Sequence, residues 1–365
     1  MYIPHVVYKR FFQWFTSYIV YLRIWFDILT PKQVMFFRRA VNLLHNSGHE
    51  VLCTSRKYRE AVELARIKKL DLTFVGSHGG ADRYNKLREG ARRTYELAEV
   101  VKQFGADVAV TFSSPEGSRV AFGLGIRHVG FNDSPHAEAV AKLTIPLTSK
   151  LYCPWVIPRS AWSGYGIAKK NIVHYRALDP AAWLKHHNDD IQEVKQEKKM
   201  ILLRLEESKA SYIADKKIST TRMIDSFVAK LWQSANIVVL CRYEDQIAEV
   251  ESRYGNKVQV LRDVVEGTTL IKSIQLFVGA GGTMTAEAAL LGKPTISIAP
   301  IQFYVERYLV RSGLVKRAIN SRSLVRLGTK MISDEWYIQM QKKRAARILG
   351  RMEDPTERMI SALRL

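Results

Sequence analysis

Short apolar, β-branched runs alternate with helical stretches almost from one end of the chain to the other, and this alternation limits the possible folds more than any single motif does. Runs of about four to eight such residues separated by amphipathic helices read as βαβ units, which form parallel sheets covered on both faces. In the first half, strands are predicted near residues 23–28, 50–54, 72–75, 107–112 and 127–131, and helices near 33–46, 58–68, 83–104 and 116–124. The spacing of Leu87, Ala91, Tyr95, Ala98 and Val101 gives the third helix one apolar face, expected to be buried. The second half repeats the scheme, with strands near 200–205, 236–241, 257–261, 276–278 and 295–298 and helices near 220–233, 243–254, 283–291 and 303–311.

Between the halves, "HYRALDPAAWLKHHNDDIQEVKQEKK" is polar, of mixed charge and interrupted by a proline, so the boundary is expected around residues 175–198. A chain of 365 residues, 47% hydrophobic, exceeds the usual size of one domain. The expected organisation is an aromatic, basic extension over 1–21, a Rossmann-like domain over 22–185, and a second over 186–365 that ends in basic helices. Two doubly wound α/β domains facing each other enclose a cleft at the carboxyl ends of their sheets, where such folds bind ligands.

Cys53, Cys153 and Cys241 lie far apart without CxxC spacing, which suggests neither zinc nor disulfides and fits a reducing, cytoplasmic setting. The formal net charge of +21 attracts polyanions, anionic membranes or phosphorylated small molecules without choosing among them. From Ile301 onward, 14 Lys and Arg face 6 Asp and Glu, with "QKKRAARILGR" at 341–351; such a run is a solvated helix face or a contact for an anionic partner. No RNP, KH, helix-turn-helix or zinc-finger pattern accompanies the charge, which counts against nucleic acid. The opening "MYIPHVVYKRFFQWFTSYIVYLRIWFDI" is rich in aromatics and has no acid before Asp27. Its longest uncharged stretch, 11–22, falls well short of the ~20 residues of a spanning helix. It reads either as an interfacial anchor on an anionic membrane or as an extension before a natural start near Leu22.

"FVGAGGTMTAEAALLGKP" places Gly279, Gly281 and Gly282 between a predicted strand and a predicted helix. Glycine permits positive φ and leaves room for a phosphate to approach the N–H groups of a helix start, where the dipole favours an anion. Thr283 either caps the helix or donates to the same phosphate, and Glu287, one turn on, is placed to accept hydrogen bonds from the two hydroxyls of a ribose. The same glycines would equally serve tight strand-to-helix packing, with Glu287 in solvent. "FNDSPHAEA" follows a predicted strand, so Asn132, Asp133 and His136 emerge at the sheet's carboxyl end. There Asp133 or His136 can act as a base toward an acceptor hydroxyl, or Asp133 or Ser134 can cap the next helix. In "FDILTPKQ", Pro31 at the first helical position with Thr30 as N-cap explains the loop without a ligand. Ser113, Ser114 and Glu116 in "FSSPEGS" read as a helix cap, and Arg204 and Arg242 stand at strand ends where they can neutralise a diphosphate.

"GAGGTMTAEAALLGKPTIS" resembles the nucleotide site in the C-terminal domain of GT-B-fold proteins such as the non-hydrolysing UDP-N-acetylglucosamine 2-epimerases and MurG-type glycosyltransferases. Taken in chain order, "FDILTPKQVMFF", "GHEVLCTSR", "FNDSPHA", "LYCP" and the glycine stretch together resemble the prokaryotic family called domain of unknown function 354, over about residues 22–330. The resemblance implies a GT-B fold in which Gly281 and Gly282 contact a diphosphate and Glu287 holds the ribose. It also implies that Asp27 and Thr30 point into the cleft and that Lys32 meets an anionic acceptor. "HAEA" at 136–139 is similar to the epimerases' H-x-E-A-G, whose glutamate is implicated in proton transfer, with Glu138 as its counterpart. Val140 stands where that glycine belongs, and "LTIPLTSKLYCP" runs where the epimerases carry a P-E-E-x-N stretch with a second carboxylate. Epimerisation needs several acid/base groups around the sugar, so the missing one counts against it.

The leading expectation is a metal-independent glycosyltransferase of GT-B type that takes a nucleotide sugar, UDP-linked, as substrate and needs no cofactor. No DxD-type metal motif is present, and "NDD" at 188–190 lies in the linker. The donor diphosphate would sit at Gly279–Thr283 and an anionic or lipid-linked acceptor near Asp27, Thr30, Lys32 and His136, at the inner face of the cytoplasmic membrane. The alternatives are a sugar-nucleotide 2-epimerase and a non-catalytic nucleotide- or membrane-binding protein.

Overall fold

The computed structural model describes residues 21–80, 82–186, 198–205, 221–241 and 243–363. Residues 1–20 of the expected extension, the 188–190 stretch and Arg242 lie outside the described residues. The first sheet contains β1 (Arg23–Asp27), β2 (Glu50–Lys57), β3 (Thr73–Ser77), β4 (Val108–Thr111), β5 (Arg127–Phe131), β6 (Lys150–Pro154) and β7 (Ile172–Tyr175). All pairings are parallel, in the order β3-β2-β1-β4-β5-β6-β7. The second contains β8 (Lys199–Arg204), β9 (Ala235–Leu240), β10 (Gln259–Leu261), β11 (Leu276–Gly279), β12 (Thr295–Ser297) and β13 (Lys316–Arg317). It is again parallel, in the order β10-β9-β8-β11-β12-β13. Both halves are therefore Rossmann-like, and each has a topological switch point, between β1 and β4 in one sheet and between β8 and β11 in the other.

Alternation along the strands sorts the core. Ile24 and Phe26 of β1 face a layer holding Phe36, Phe37, Phe112 and Phe131, while Trp25 faces the opposite layer with Leu97 and Val101. Phe36 meets Phe37, Phe112 and Phe131 edge-on at 5.3–5.4 Å between centroids, the geometry that aromatic quadrupoles favour.

The helix Arg83–Phe104 corrects the sequence reading of its face. It buries Arg93, Leu97 and Val101, whereas Leu87 and Tyr95 are 72% and 73% exposed and Tyr84 is 68% exposed. Counting only apolar residues misplaced the face because the inward residue at its centre is an arginine. Arg93 reaches under the sheet edge to Asp27, and its Cβ would lie 2.9 Å from any Cβ at position 76, so Gly76, at φ +68°, is what lets the helix approach β3.

The chain's last helix, Pro355–Leu363, packs on the first domain's helix Pro31–Asn46, although a division at residue 186 would count it with the second half. Arg39 pairs with Asp354 at 2.5 Å and Arg127 donates to the Leu363 carbonyl at 2.8 Å. The halves also meet through Lys68 and Glu266 at 3.2 Å, through Arg59 donating to the Arg262 carbonyl at 3.2 Å, and through the two contacts described next.

Candidate functional site

At the second switch point β11 ends at Gly279, in register with Arg204 at the end of β8. The chain turns through Gly281 and Gly282 at φ +95° and +81° and enters the helix Thr283–Leu290 without a side-chain cap. The three glycines do not meet the same surroundings. A Cβ on Gly279 would lie 2.7 Å from Thr285 Oγ1, one on Gly281 would lie 3.1 Å from Glu306 Oε2, and one on Gly282 would meet nothing within 4 Å. Close packing therefore accounts for the first two, and the open space lies over Gly282, at the helix N-terminus where an anion is favoured. Thr283 is helical and half-buried rather than an N-cap. Arg204 donates to the Leu240 carbonyl at 3.0 Å.

Glu287 is neither solvated nor open. It is 5% exposed, and its Oε1 accepts from Trp183 Nε1 at 3.0 Å and from Thr268 Oγ1. Burial pushes its carboxyl up to about 7 against these two hydrogen bonds. Thr268 belongs to the helix Gly267–Ser273, capped by Glu266. Burial of Glu266 is outweighed by hydrogen bonds from Thr269 and by Lys68, which hold it below the usual carboxylate range.

A folded-state value raised above the ordinary one near 4.5 stabilises the fold at low pH and loses that contribution as pH rises through about 7. Glu287→Gln keeps the acceptor oxygen and removes the titration. Urea unfolding should therefore show the variant level with wild type near pH 4 and more stable near pH 8, by up to about 3 kcal/mol, the gap opening as pH rises from about 4.5 to about 7. Parallel pH dependences would refute the assignment.

At the carboxyl end of the first sheet the predicted residues separate. Asp27 does not point into a cleft: it is fully buried, accepts from Arg93 Nη2 at 2.5 Å and Nη1 at 3.1 Å, from Thr54 Oγ1 at 2.7 Å and from Ser114 Oγ at 2.5 Å. Thr30 is the N-cap of the helix Pro31–Asn46, and Ser114 caps Pro115–Gly123, both as local sequence alone explains. Lys32, in the first turn, lies 2.6 Å from both Asp133 Oδ2 and Asp179 Oδ2 and 4.2 Å above the Phe112 ring. Asp133 is thus an ion-pair partner, not a helix cap; the following helix starts at Glu138, with Ala137 in the cap position and no capping side chain.

Burial opposes ionisation of Asp133, but Lys32 holds it below the usual range, whereas the more deeply buried Asp179 is pushed up to about 6. Tyr175 donates to the other Asp179 oxygen. His136 stacks on Phe303 of the second domain, with centroids 3.3 Å apart and rings 6° from parallel, and burial lowers its pKa to about 4. Phe303 closes the loop 298–303 after β12, which also holds Ala299, whose Cβ is 3.5 Å from where a Gly281 Cβ would be. The Asp133 cluster and the glycine turn therefore share one loop of the second domain. Glu138 is exposed and pairs with Lys142 at 2.6 Å, so the structure does not bring it into this cluster. Ser113 stands beside the cluster at φ +55°, held by Asn132 Nδ2 donating to its Oγ at 2.6 Å; a non-glycine residue in that region carries backbone strain.

Two Rossmann-like parallel-sheet domains in one chain define a protein of GT-B type. The same fold is found in the UDP-N-acetylglucosamine 2-epimerase of Methanocaldococcus jannaschii, solved in complex with UDP-GlcNAc and UDP, at a TM-score of 0.69 and 15% identity over 94% of this chain and 99% of that one. It is also found in the spinosyn forosaminyltransferase SpnP, at a TM-score of 0.63 and 14% identity over 93% and 98%. By sequence, residues 22–363 match the family described as "Protein of unknown function (DUF354)", and the chain belongs to it. An uncharacterized protein of M. jannaschii is 28% identical over 303 residues, covering 80% of this chain and 86% of the relative.

Proposed function

We propose that this chain transfers a sugar from a nucleoside-diphosphate donor to an acceptor hydroxyl without a metal ion. The observation that carries the reading is the open, uncapped helix start at Gly282, set at the β8/β11 switch point opposite Arg204. A departing diphosphate there would be stabilised by backbone N–H groups, the helix dipole and arginine, which supply the charge a metal ion would otherwise bring. The UDP held by the M. jannaschii epimerase of the same fold supports a uridine donor. On the acceptor side Asp133 is the more accessible carboxylate of the Lys32 cluster and is kept ionised by it. Transfer is preferred to epimerisation because Glu138, the residue an epimerase would need for proton transfer, stands in solvent paired with Lys142.

Thermal unfolding with UDP, UDP-N-acetylglucosamine, UDP-glucose and their thymidine and guanosine counterparts tests this. A ligand at 100 times its Kd adds about 2.7 kcal/mol, so the midpoint should rise by roughly 3–5 °C for one base class in a chain of this length. Gly282→Ala, whose Cβ meets nothing within 4 Å but stands over the helix start at φ +81°, should abolish the shift, and its unliganded midpoint reports the backbone strain separately. Absence of any shift in folded wild-type protein would remove the donor site. A C2 epimer formed without acceptor would replace transfer by epimerisation.

A further inference from the structure

We propose that the outer face of the two helices Ser321–Ser333 and Glu335–Gly350 docks the protein on an anionic membrane surface. The second helix sits with its inner face on Thr283–Leu290, on the turn that follows it and on the turn after Tyr304–Arg311: Gln341 donates to the Leu314 carbonyl, Arg344 to the Gly313 carbonyl, and Gly292 lies against Lys342. That packing fixes which side is left outside. Trp336, Met340, Lys343 and Arg347, spaced i, i+4, i+7 and i+11, lie along the exposed side, with Trp336 72% exposed. Arg322, Arg326 and Lys330, every fourth residue, form an exposed row on the first helix, and Ile319 just before it is 73% exposed.

The charge here is lopsided. Between Arg311 and Arg351 there are 11 Lys and Arg and only 2 acids, Asp334 and Glu335. Arg322, Arg326, Lys330, Lys343, Arg347 and Arg351 have no carboxylate partner among the described residues, whereas the basic residues Arg59, Arg92 and Lys142 of the first domain are paired along their own helices. A surface held positive without internal partners, with an indole, a thioether and an isoleucine standing out of it, matches the chemistry of an anionic lipid interface. Basic side chains meet the headgroup charge and the apolar ones enter the acyl boundary. Nucleic acid would use the cations but gains little from Ile319 and Met340. No described helix is long and apolar enough to cross a membrane, so the contact is peripheral.

The proposal does not rest on the nucleotide reading, and its test is separate. Full-length protein is sedimented with large vesicles of phosphatidylglycerol and phosphatidylcholine, or of phosphatidylcholine alone. Binding is expected only to the anionic vesicles and should weaken with salt. Trp336→Glu should reduce partitioning about tenfold, and Lys343→Glu/Arg347→Glu about 100-fold or more, at unchanged thermal stability because all three side chains are at the surface. No binding to the anionic vesicles, or binding that all these variants retain in full, would overturn the proposal. So would comparable affinity for a single-stranded oligonucleotide that the double variant loses and Trp336→Glu keeps.

Discussion

Arg93→Ala is expected to cost about 3–5 kcal/mol of folding stability, the largest loss of any single substitution considered for this chain. Its guanidinium and the Asp27 carboxylate are both essentially excluded from solvent, and they meet through two hydrogen bonds while Arg93 Nε donates to the Val75 carbonyl at 3.0 Å. Removing the cation leaves the buried Asp27 carboxylate with the Thr54 and Ser114 hydroxyls as hydrogen-bond donors and takes a charge partner from Glu116, 3.6 Å from Arg93, with only the charge of Arg56 nearby to offset it. The cost arises from that stranded charge more than from the pair itself, since a buried pair replaced as a whole is often near neutral. Arg93→Met combined with Asp27→Asn should therefore recover most of what Arg93→Ala loses. Urea denaturation of the three proteins decides: a loss below about 1 kcal/mol for Arg93→Ala, or no recovery in the double variant, would show that the pair does not hold the sheet to its helix.

The same pair explains where sequence reading succeeded and where it stopped. Strands with helices of nine or more residues between them, β1 to β5, were visible from alternation alone. β6 and β7 were not, because the helix between them is only Ser160–Ser163 and the alternation disappears. The inward face of Arg83–Phe104 was misassigned because a buried arginine carries no apolar signal. The glycine turn was legible because positive φ restricts residue type. The groups that close around it were not, since Trp183 lies 104 residues before Glu287 in the chain. A signal for them existed in the stretch read as a linker. "YRALDPAAW" contains buried Ala177, Leu178, Ala181 and Ala182, a density of apolar residues that a solvated linker does not have, and it carries Tyr175, Asp179 and Trp183 at intervals of four.

The two switch points differ in one respect that bears on chemistry. In the first sheet the crevice between β1 and β4 is filled by Asp27, Arg93, Thr54 and Ser114, all buried and mutually bonded. In the second it is open at Gly282. With that switch point sealed, the polar cluster nearest the second domain is built instead by the loops after β5 and β7, which bring Asp133 and Asp179 to Lys32, and the proposed chemistry is placed there.

Asp133→Asn should accordingly lower turnover by about 10²- to 10⁴-fold while leaving the nucleotide-induced thermal shift intact, the range expected when a general base is removed. Released UDP from UDP-N-acetylglucosamine, or from whichever donor gives the thermal shift, provides the readout even before the acceptor is known, because water can stand in for the acceptor hydroxyl. Lys32 gives a second handle. It holds Asp133 below the usual carboxylate range despite burial, so activity should persist well into the acid range and fall only as Asp133 takes up a proton. Lys32→Met removes the cation that both carboxylates share, and with burial then unopposed the acid limb of the rate profile should move upward toward neutral pH. Asp133→Asn with turnover within twofold of wild type would eliminate Asp133 as the base. An unmoved acid limb in Lys32→Met would mean that the group controlling the rate does not feel the Lys32 charge, which would exclude His136 as well as Asp133.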